Sequence, residues 1–227
     1  MKKITSKEAL NLLLQDIKNQ EDLIKSENKW ILHSIYVGLA ARRIAEKLDL
    51  NDEFALIIGY LHDIGRRIDH YNHPIEGYKY LKELGYNDIA RYSLTHSFLN
   101  NDITKTVGTG PQDINSYNFI NNYLKNIDKD IFDNIIHLCD LMCLETGFTT
   151  IEKRILDIIT RKGISDNSYS HYLDLMDFKQ WLEKEIKMNL YDLFPEIKKE
   201  DLNEILLDRQ LLINMIKPKY LTKKINS

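Results

Sequence analysis

The chain has 227 residues, 43% of them hydrophobic, which is enough to bury a substantial core in one large domain or two small ones. A formal net charge of -3 at pH 7 gives no general reason to expect nucleic-acid binding. No apolar run approaches the roughly 18 residues of a membrane span, and the N-terminal segment lacks the apolar core of a signal peptide. We therefore expect a cytoplasmic protein without a membrane or nucleic-acid partner, and leave oligomerisation open.

The hydrophobic periodicity is helical almost throughout, with only 9 Gly and 4 Pro to interrupt it and no convincing alternating strand. The pattern therefore predicts an all-α fold. The predicted helices, in chain order, cover about 5–25, 33–48, 52–63, 74–85, 87–97, 113–124, 128–144, 149–162, 170–190 and 199–216. The pattern is lost over 99–115, which predicts a functional or mobile loop.

The most informative segment ends the predicted helix over 52–63. His62 and Asp63 stand side by side there, about 100° apart around the helix, so both side chains can face one cleft. Gly65 follows, and we expect it to end the helix in a left-handed conformation. Imidazole nitrogen and carboxylate oxygen are ligands that suit Mn, Fe, Co, Ni or Zn. The segment therefore predicts a metal site.

His33 is predicted to meet His62 across two antiparallel helices. At 1.5 Å per residue, the chain descends about 22 Å from residue 33 to 48 and returns about 15 Å from 52 to 62. The two histidines would then differ by about 7 Å in depth at the same end of the helix pair. Two imidazole side chains can span that offset to reach one ion.

Three more residues complete the candidate ligand set. His73 begins a helix led by proline, and His96 ends the next helix. Asp140 lies within an apolar helix, where an unpaired carboxylate would be costly to bury and metal coordination would offset that cost. His70 competes with His73 for the same role, and His137 is a candidate partner that supports Asp140. A mixed set of six such groups can hold two ions.

The same ligand types occur in the same order in a known family. The pattern resembles the HD-domain superfamily of metal-dependent phosphohydrolases, and Asp63-Ile64-Gly65 looks like its His-Asp-Ile-Gly variant. The motif order is most similar to that of bacterial HD-domain diadenosine tetraphosphate hydrolases. The resemblance covers about residues 30–145. It does not explain residues 146–227. We expect one helical domain over 1–227, with an HD core at 28–145 and a C-terminal helical extension at 146–227 packed on it.

The resemblance also implies the chemistry. A metal-activated water would hydrolyse a phosphoester or phosphoanhydride in a small substrate, which we expect to be a nucleotide. The metals implied are two divalent transition ions (Fe, Mn, Co, Ni or Zn, with Mg as an alternative) bound by His33, His62, Asp63, His73, His96 and Asp140. Asp63 would bridge the ions and act in catalysis together with Arg66. Guanidinium and ammonium groups bind phosphate, so Arg66, Arg67 and Lys105 are the predicted substrate-binding residues.

Two other functions compete with this interpretation. A non-catalytic module that senses a nucleotide or binds a protein would be favoured by loss of ligand positions, but every expected position is filled. An oxygenase with a mixed-valent di-iron site would require redox-active iron. Among the remaining residues with reactive side chains, Cys139 and Cys143 are expected in the core, and His171 is expected at the surface.

Overall fold

The computed structural model describes residues 2–106, 111, 113–128, 130–164 and 166–197. The α-helices within this part are α1 (Ser6–Leu14), α2 (Gln20–Ile24), α3 (Lys29–Lys47), α4 (Asp52–Leu61), α5 (His73–Glu83), α6 (Asn87–Thr95), α7 (Ile114–Lys125), α8 (Ile131–Asp140), α9 (Ile151–Lys162) and α10 (Ser168–Ile186). Short 3-10 turns lie at Ser26–Asn28, Ile64–Arg67, Leu99–Asn101 and Leu190–Leu193. The predicted all-α fold is confirmed. The predicted helix over 199–216 lies outside the described residues.

One small hairpin joins the helices of the HD core to those that follow. Its strands, β1 (Cys143–Leu144) and β2 (Gly147–Phe148), are antiparallel, with Cys143 opposite Phe148. The helix predicted over 128–144 is therefore too long, because α8 ends at Asp140 and the chain turns into this hairpin. Gly147 has a φ of 138°, which a residue with a side chain rarely adopts. None of the helices in the described part of the chain combines the length and apolarity that a bilayer crossing requires.

The predicted first helix, over 5–25, is two helices. Thr5 begins α1 with a capping box, in which its side chain and that of Glu8 bind each other's backbone N–H groups. The helix ends at Leu14, and Asn19 caps α2 by accepting a hydrogen bond from the Asp22 N–H at 2.9 Å. An Asn side chain that competes for backbone hydrogen bonds favours such a restart over a continuous helix.

Two glycines let α3 and α4 approach closely. A Cβ added to Gly59 would lie 2.5 Å from the Gly38 Cα, and a Cβ added to Gly38 would lie 2.5 Å from Tyr60 Cδ1. No side chain larger than hydrogen fits either position without a shift of the helices. This contact sets the spacing at which His33 on α3 and His62 at the end of α4 meet.

Gly65 is required for a different reason from the one predicted. It lies in the 3-10 turn Ile64–Arg67 and is not among the residues with positive φ. A Cβ at this position would lie 2.1 Å from the His73 carbonyl oxygen and 2.4 Å from the Gly77 N. The expected left-handed helix end is therefore wrong: this glycine allows the turn after Asp63 to touch α5, which carries His73.

The helices after the hairpin share one buried apolar cluster with the HD core. Ile155 of α9 and Leu175 of α10 belong to the same cluster as Ile44 of α3 and Ile136 of α8. Burial of apolar surface is the main favourable term in folding, and through this cluster α9 and α10 pack on the core helices. The single domain over 1–227 stays a prediction, because residues 198–227 lie outside the described part of the chain. Cys139 and Cys143, both in this cluster, are fully buried free thiols.

Candidate metal centre

The structure brings the six predicted ligands together at the ends of five helices. His33 comes from the first part of α3, while the other members of the set follow α4, begin α5, follow α6 and end α8: His62 with Asp63, His73, His96 and Asp140. The His33 and His62 ring centroids are 5.4 Å apart, and those of His62 and His96 are 4.9 Å apart. We call these six residues the candidate ligands.

All four candidate histidines bind a main-chain carbonyl through Nδ1. Three of them use the carbonyl three residues earlier: His62 that of Gly59 at 2.7 Å, His73 that of His70 at 3.0 Å, and His96 that of Ser93 at 2.9 Å. His33 instead uses the Cys143 carbonyl of β1 at 3.2 Å. A carbonyl can only accept, so each Nδ1 carries the proton. This arrangement turns each Nε2 away from the main chain, as in metal-binding histidines, where Nε2 is the atom that binds the ion.

Asp63 lies between two groups of these nitrogens. Its Oδ1 is 3.1 Å from His73 Nε2 and 3.5 Å from His96 Nε2, and its Oδ2 is 3.7 Å from His62 Nε2. Burial would raise the pKa of the Asp63 carboxyl, but the neighbouring Arg66, His62 and His73 lower it well below its usual range. The buried carboxylate therefore stays charged.

Asp140 completes the other side of the site. Its Oδ1 lies 2.8 Å from His33 Nε2 and 3.9 Å from His62 Nε2. Burial opposes ionisation of this carboxyl, yet the hydrogen bond and charge of His33 and the charge of His62 lower its pKa. His33 thus contacts the Cys143 carbonyl through Nδ1 and the Asp140 carboxylate through Nε2. A cation between this Nε2 and the carboxylate would attract both.

The donor set fits divalent metal ions. Three groups have ligand atoms within 4.8 Å of one another in the described part of the chain: His33, His62 and Asp63; His62, His96 and Asp140; Asp63, His73 and His96. His62 Nε2 and Asp63 Oδ1 are buried without a hydrogen-bond partner, and such groups are costly unless something binds them. Burial lowers the pKa of His62 to about 4, so this imidazole is neutral near pH 7 and its lone pair is available to a metal.

Arg66 and His70 lie at the edge of the candidate site. Arg66 pairs with Asp63 Oδ2 through Nε, and its Nη1 is 3.1 Å from the His70 Nε2. His70 is exposed and is not part of any described ligand group, whereas its carbonyl orients His73. His73 is thus the histidine of this pair that reaches Asp63.

Arg67 and Lys105 do not reach the site. Arg67 donates to the Leu12 carbonyl at 3.2 Å and pairs with Asp16 at 3.2 Å, so it joins the turn after Asp63 to α1. Lys105 pairs with Asp174 at 2.8 Å and donates to Ser170 at 2.7 Å, which ties the predicted loop to α10. Neither side chain lines the cavity over the candidate ligands. Their predicted roles in substrate binding are corrected to structural contacts.

His171 is buried, contrary to the prediction of a surface position. Its ring is 4% exposed, and its Nε2 lies 2.8 Å from His137 Nε2. His137 Nδ1 donates to the His96 carbonyl at 2.7 Å, which leaves His137 Nε2 as the acceptor and His171 Nε2–H as the donor. The prediction of His137 as a partner of Asp140 is replaced by this chain, which supports the main chain at His96.

A cavity of about 930 Å³ opens over the candidate ligands, and five of the six ligands and Arg66 line it. Its other charged lining residues include several that the sequence argument did not select: Lys29, Glu145, Lys153, Arg154, Asp157, Arg161 and Lys162. Most of these belong to one face of α9. These charged residues recur at three- and four-residue intervals in the predicted helix over 149–162, which indicates one charged helix face. The sequence does not show that this face lies next to the candidate ligands.

The comparisons with known proteins bear on the HD core alone. No curated protein and no solved structure matches the chain, so the likeness to diadenosine tetraphosphate hydrolases stays a prediction. The family model described as HD domain matches residues 30–143, which is half of the chain and includes every candidate ligand. HD domains are generally metal-dependent hydrolases. With this match and the converging histidines and aspartates, the chain belongs to the HD domain family.

Proposed function

We propose that the protein hydrolyses a phosphoester or phosphoanhydride bond in a small nucleotide, with two divalent metal ions. One observation carries the proposal. Four histidines are held through Nδ1 by main-chain carbonyls, so that each Nε2 faces Asp63 or Asp140. Metal-binding histidines are oriented in this way, whereas packing alone does not require that every Nε2 face a carboxylate.

The candidate ligands divide into two sets that share Asp63. His33, His62 and Asp63, with Asp140 beside His33, would hold one ion, and Asp63, His73 and His96 would hold the other. When bound, two such ions lower the pKa of a coordinated water and neutralise charge on the phosphoryl group. The remaining residues have separate roles: Arg66 stands at the cavity beside Asp63, where its guanidinium can bind a phosphate oxygen and keep the substrate in place. The cavity volume is in the range of small-molecule sites.

Metal analysis combined with a substrate panel tests this proposal. The full-length protein would be reconstituted in turn with Mn, Fe, Co, Ni, Zn and Mg, and assayed against nucleotides, dinucleotides and generic phosphoesters. We expect metal-dependent release of phosphate or nucleotide from at least one member. Tight nucleotide binding without turnover under every metal would contradict the proposal and favour the sensor module. Redox-active, mixed-valent iron in the purified protein would favour the oxygenase.

The number of ions has its own test. We expect close to two metal ions per chain by elemental analysis, and close to one in a His73→Ala, His96→Ala double variant, because the second set keeps only Asp63 without these two side chains. A His70→Ala variant is the matched control and should retain two ions, since this exposed ring is outside the ligand groups. A single ion in the wild type that persists in the double variant would show a mononuclear site.

A further inference from the structure

The cavity has a second concentration of positive charge, on helix α9. Four cationic side chains of this helix line the cavity, and the helix contributes a single carboxylate there: Lys153, Arg154, Arg161 and Lys162, with Asp157. Helix α9 spans Ile151–Lys162 and lies outside the residues that match the HD domain family. These charges are therefore a property of this chain beyond the family motif.

The positive charge of α9 is only partly neutralised. Asp157 is shared by two guanidinium groups, Arg154 at 3.0 Å and Arg161 at 2.6 Å. Lys162 forms no ion pair with any described residue. Arg66, Arg161 and Lys162 all line this one cavity, and burial, followed by the charges of the two arginines, lowers the pKa of Lys162. An anion in the cavity would relieve this repulsion.

The helix dipole favours Arg161 and Lys162, which stand in the last turn of α9, but it does not explain the two cations at the start of the helix. Thr150 is the N-cap of α9, so Lys153 and Arg154 stand in the first turn, where the helix dipole disfavours positive charge. Arg154 Nε is buried without a hydrogen-bond partner, although an unmet buried donor costs free energy. A ligand with acceptor oxygens would satisfy both features.

Resting on the proposed function, we propose that the cavity face of α9 is a second anion subsite, which selects substrates with two or more phosphate groups over those with one. Arg66 pairs with Asp63 and lines the same cavity as Lys162, so positive charge is present both beside the candidate ligands and at the end of α9. From residue 154 to 162 the helix extends about 12 Å, which is room for phosphates beyond the one at the metal ligands. Guanidinium groups bind such oxygens bidentately.

A pair of inert probes tests the subsite without any turnover. Methylphosphonate carries one phosphonate group and methylenediphosphonate carries two, joined by a P–C–P bond that hydrolysis does not cleave. Calorimetric titration into the full-length protein as purified should give at least tenfold tighter binding of the diphosphonate. In an Arg161→Gln, Lys162→Gln variant this ratio should fall below about threefold, with little change for methylphosphonate. The control is Lys47→Gln, Lys125→Gln, which removes two exposed lysines in the last turns of α3 and α7 and should keep the wild-type ratio.

The outcomes separate this inference from the proposed function. An unchanged ratio in the α9 variant would overturn the subsite, because the preference would then come from the metal ligands alone. If no phosphate compound is hydrolysed but the ratio still depends on α9, the hydrolase proposal fails and the subsite stands. If nucleotides are hydrolysed, the α9 variant should raise KM for di- and triphosphates at least tenfold and leave KM for the monophosphate ester of the panel within twofold. Equal effects on both substrate classes would also overturn the subsite.

Discussion

Asp63 links the two halves of the candidate centre. One of its oxygens lies near His73 and His96, and the other near His62 and Arg66. The carboxylate is buried and yet charged, because Arg66 and the neighbouring histidines outweigh the cost of burial. Both ligand sets therefore depend on the negative charge of Asp63, and a side chain of the same size without that charge should not replace it.

Asp63→Asn should remove most of the activity. Asparagine keeps the size of the side chain but not the charge, so we expect kcat to fall on the order of 10³-fold and metal content to fall with it. Steady-state kinetics and elemental analysis measure both. Asp69→Asn is the control, because the Asp69 carboxylate accepts from the Tyr71 and Asn72 backbone in a surface turn and lies outside the cavity lining. Wild-type turnover in the Asp63 variant would exclude this residue from catalysis.

His171 gives the fold a dependence on pH. Burial, followed by the neighbouring His137 and Lys105, lowers its pKa from the ordinary 6.5 to about 2. The unfolded chain therefore binds more protons at this position below about pH 6.5, and stability decreases as the pH falls through that window. Between pH 7 and pH 5 the loss from His171 alone is about 2 kcal/mol.

His171→Gln should lessen this acid sensitivity, because the amide can still donate to His137 but does not titrate. The measurement is urea unfolding at pH 7 and pH 5, compared with wild type. His70→Gln is the control and should lessen the acid sensitivity much less, since the His70 ring is exposed. The same pH dependence in wild type and the His171 variant would contradict the assignment.

At the scale of helices and turns, glycines decide where the ligands meet. The contact of Gly38 with Gly59 brings α3 to α4, and that of Gly65 with Gly77 brings the turn after Asp63 to α5. Each contact is between backbones, so a methyl group in either would force two elements apart. The first contact sets the distance between His33 and His62, and the second sets the distance between Asp63 and His73.

Gly65→Ala should separate Asp63 from His73. Overpacking of this kind typically costs about 1–3 kcal/mol of stability, and we expect the second ion to be lost with it. Gly85→Ala is a matched control, since Gly85 has a φ of 86° and no close contact that would oppose a Cβ. It should cost about 1 kcal/mol through the backbone alone and leave two ions bound. Equal metal content in both variants would show that the Gly65 contact does not position His73.

At the scale of the whole molecule, the question is whether the extension folds with the HD core. Leu175 of α10 is fully buried in the cluster that also contains the core helices. The chain has two tryptophans, Trp30 in α3 and Trp181 in α10, so each part carries one fluorescent probe.

Single-tryptophan variants test this. Trp181→Phe leaves the probe in α3, and Trp30→Phe leaves the probe in α10. If the two parts form one cooperative unit, both should give the same urea midpoint. Leu175→Ala should lower the free energy of unfolding by about 2–5 kcal/mol and so shift both midpoints together. Leu173→Ala is the control: this position is 43% exposed, so neither midpoint should change much. Separate midpoints would show two domains.

The sequence alone was sufficient to predict the fold class and which histidines and aspartates would lie close together. Helical periodicity, the His62-Asp63 pair and the order of the histidines depend on local spacing, which the sequence displays directly. The depth argument placed His33 near His62 for the same reason, since the rise of a helix is constant. By contrast, the directions of Arg67, Lys105 and His171, the reason for Gly65 and the approach of α9 to the cavity depend on which elements pack together. Those are contacts between residues far apart in the chain, and only the tertiary structure decides them.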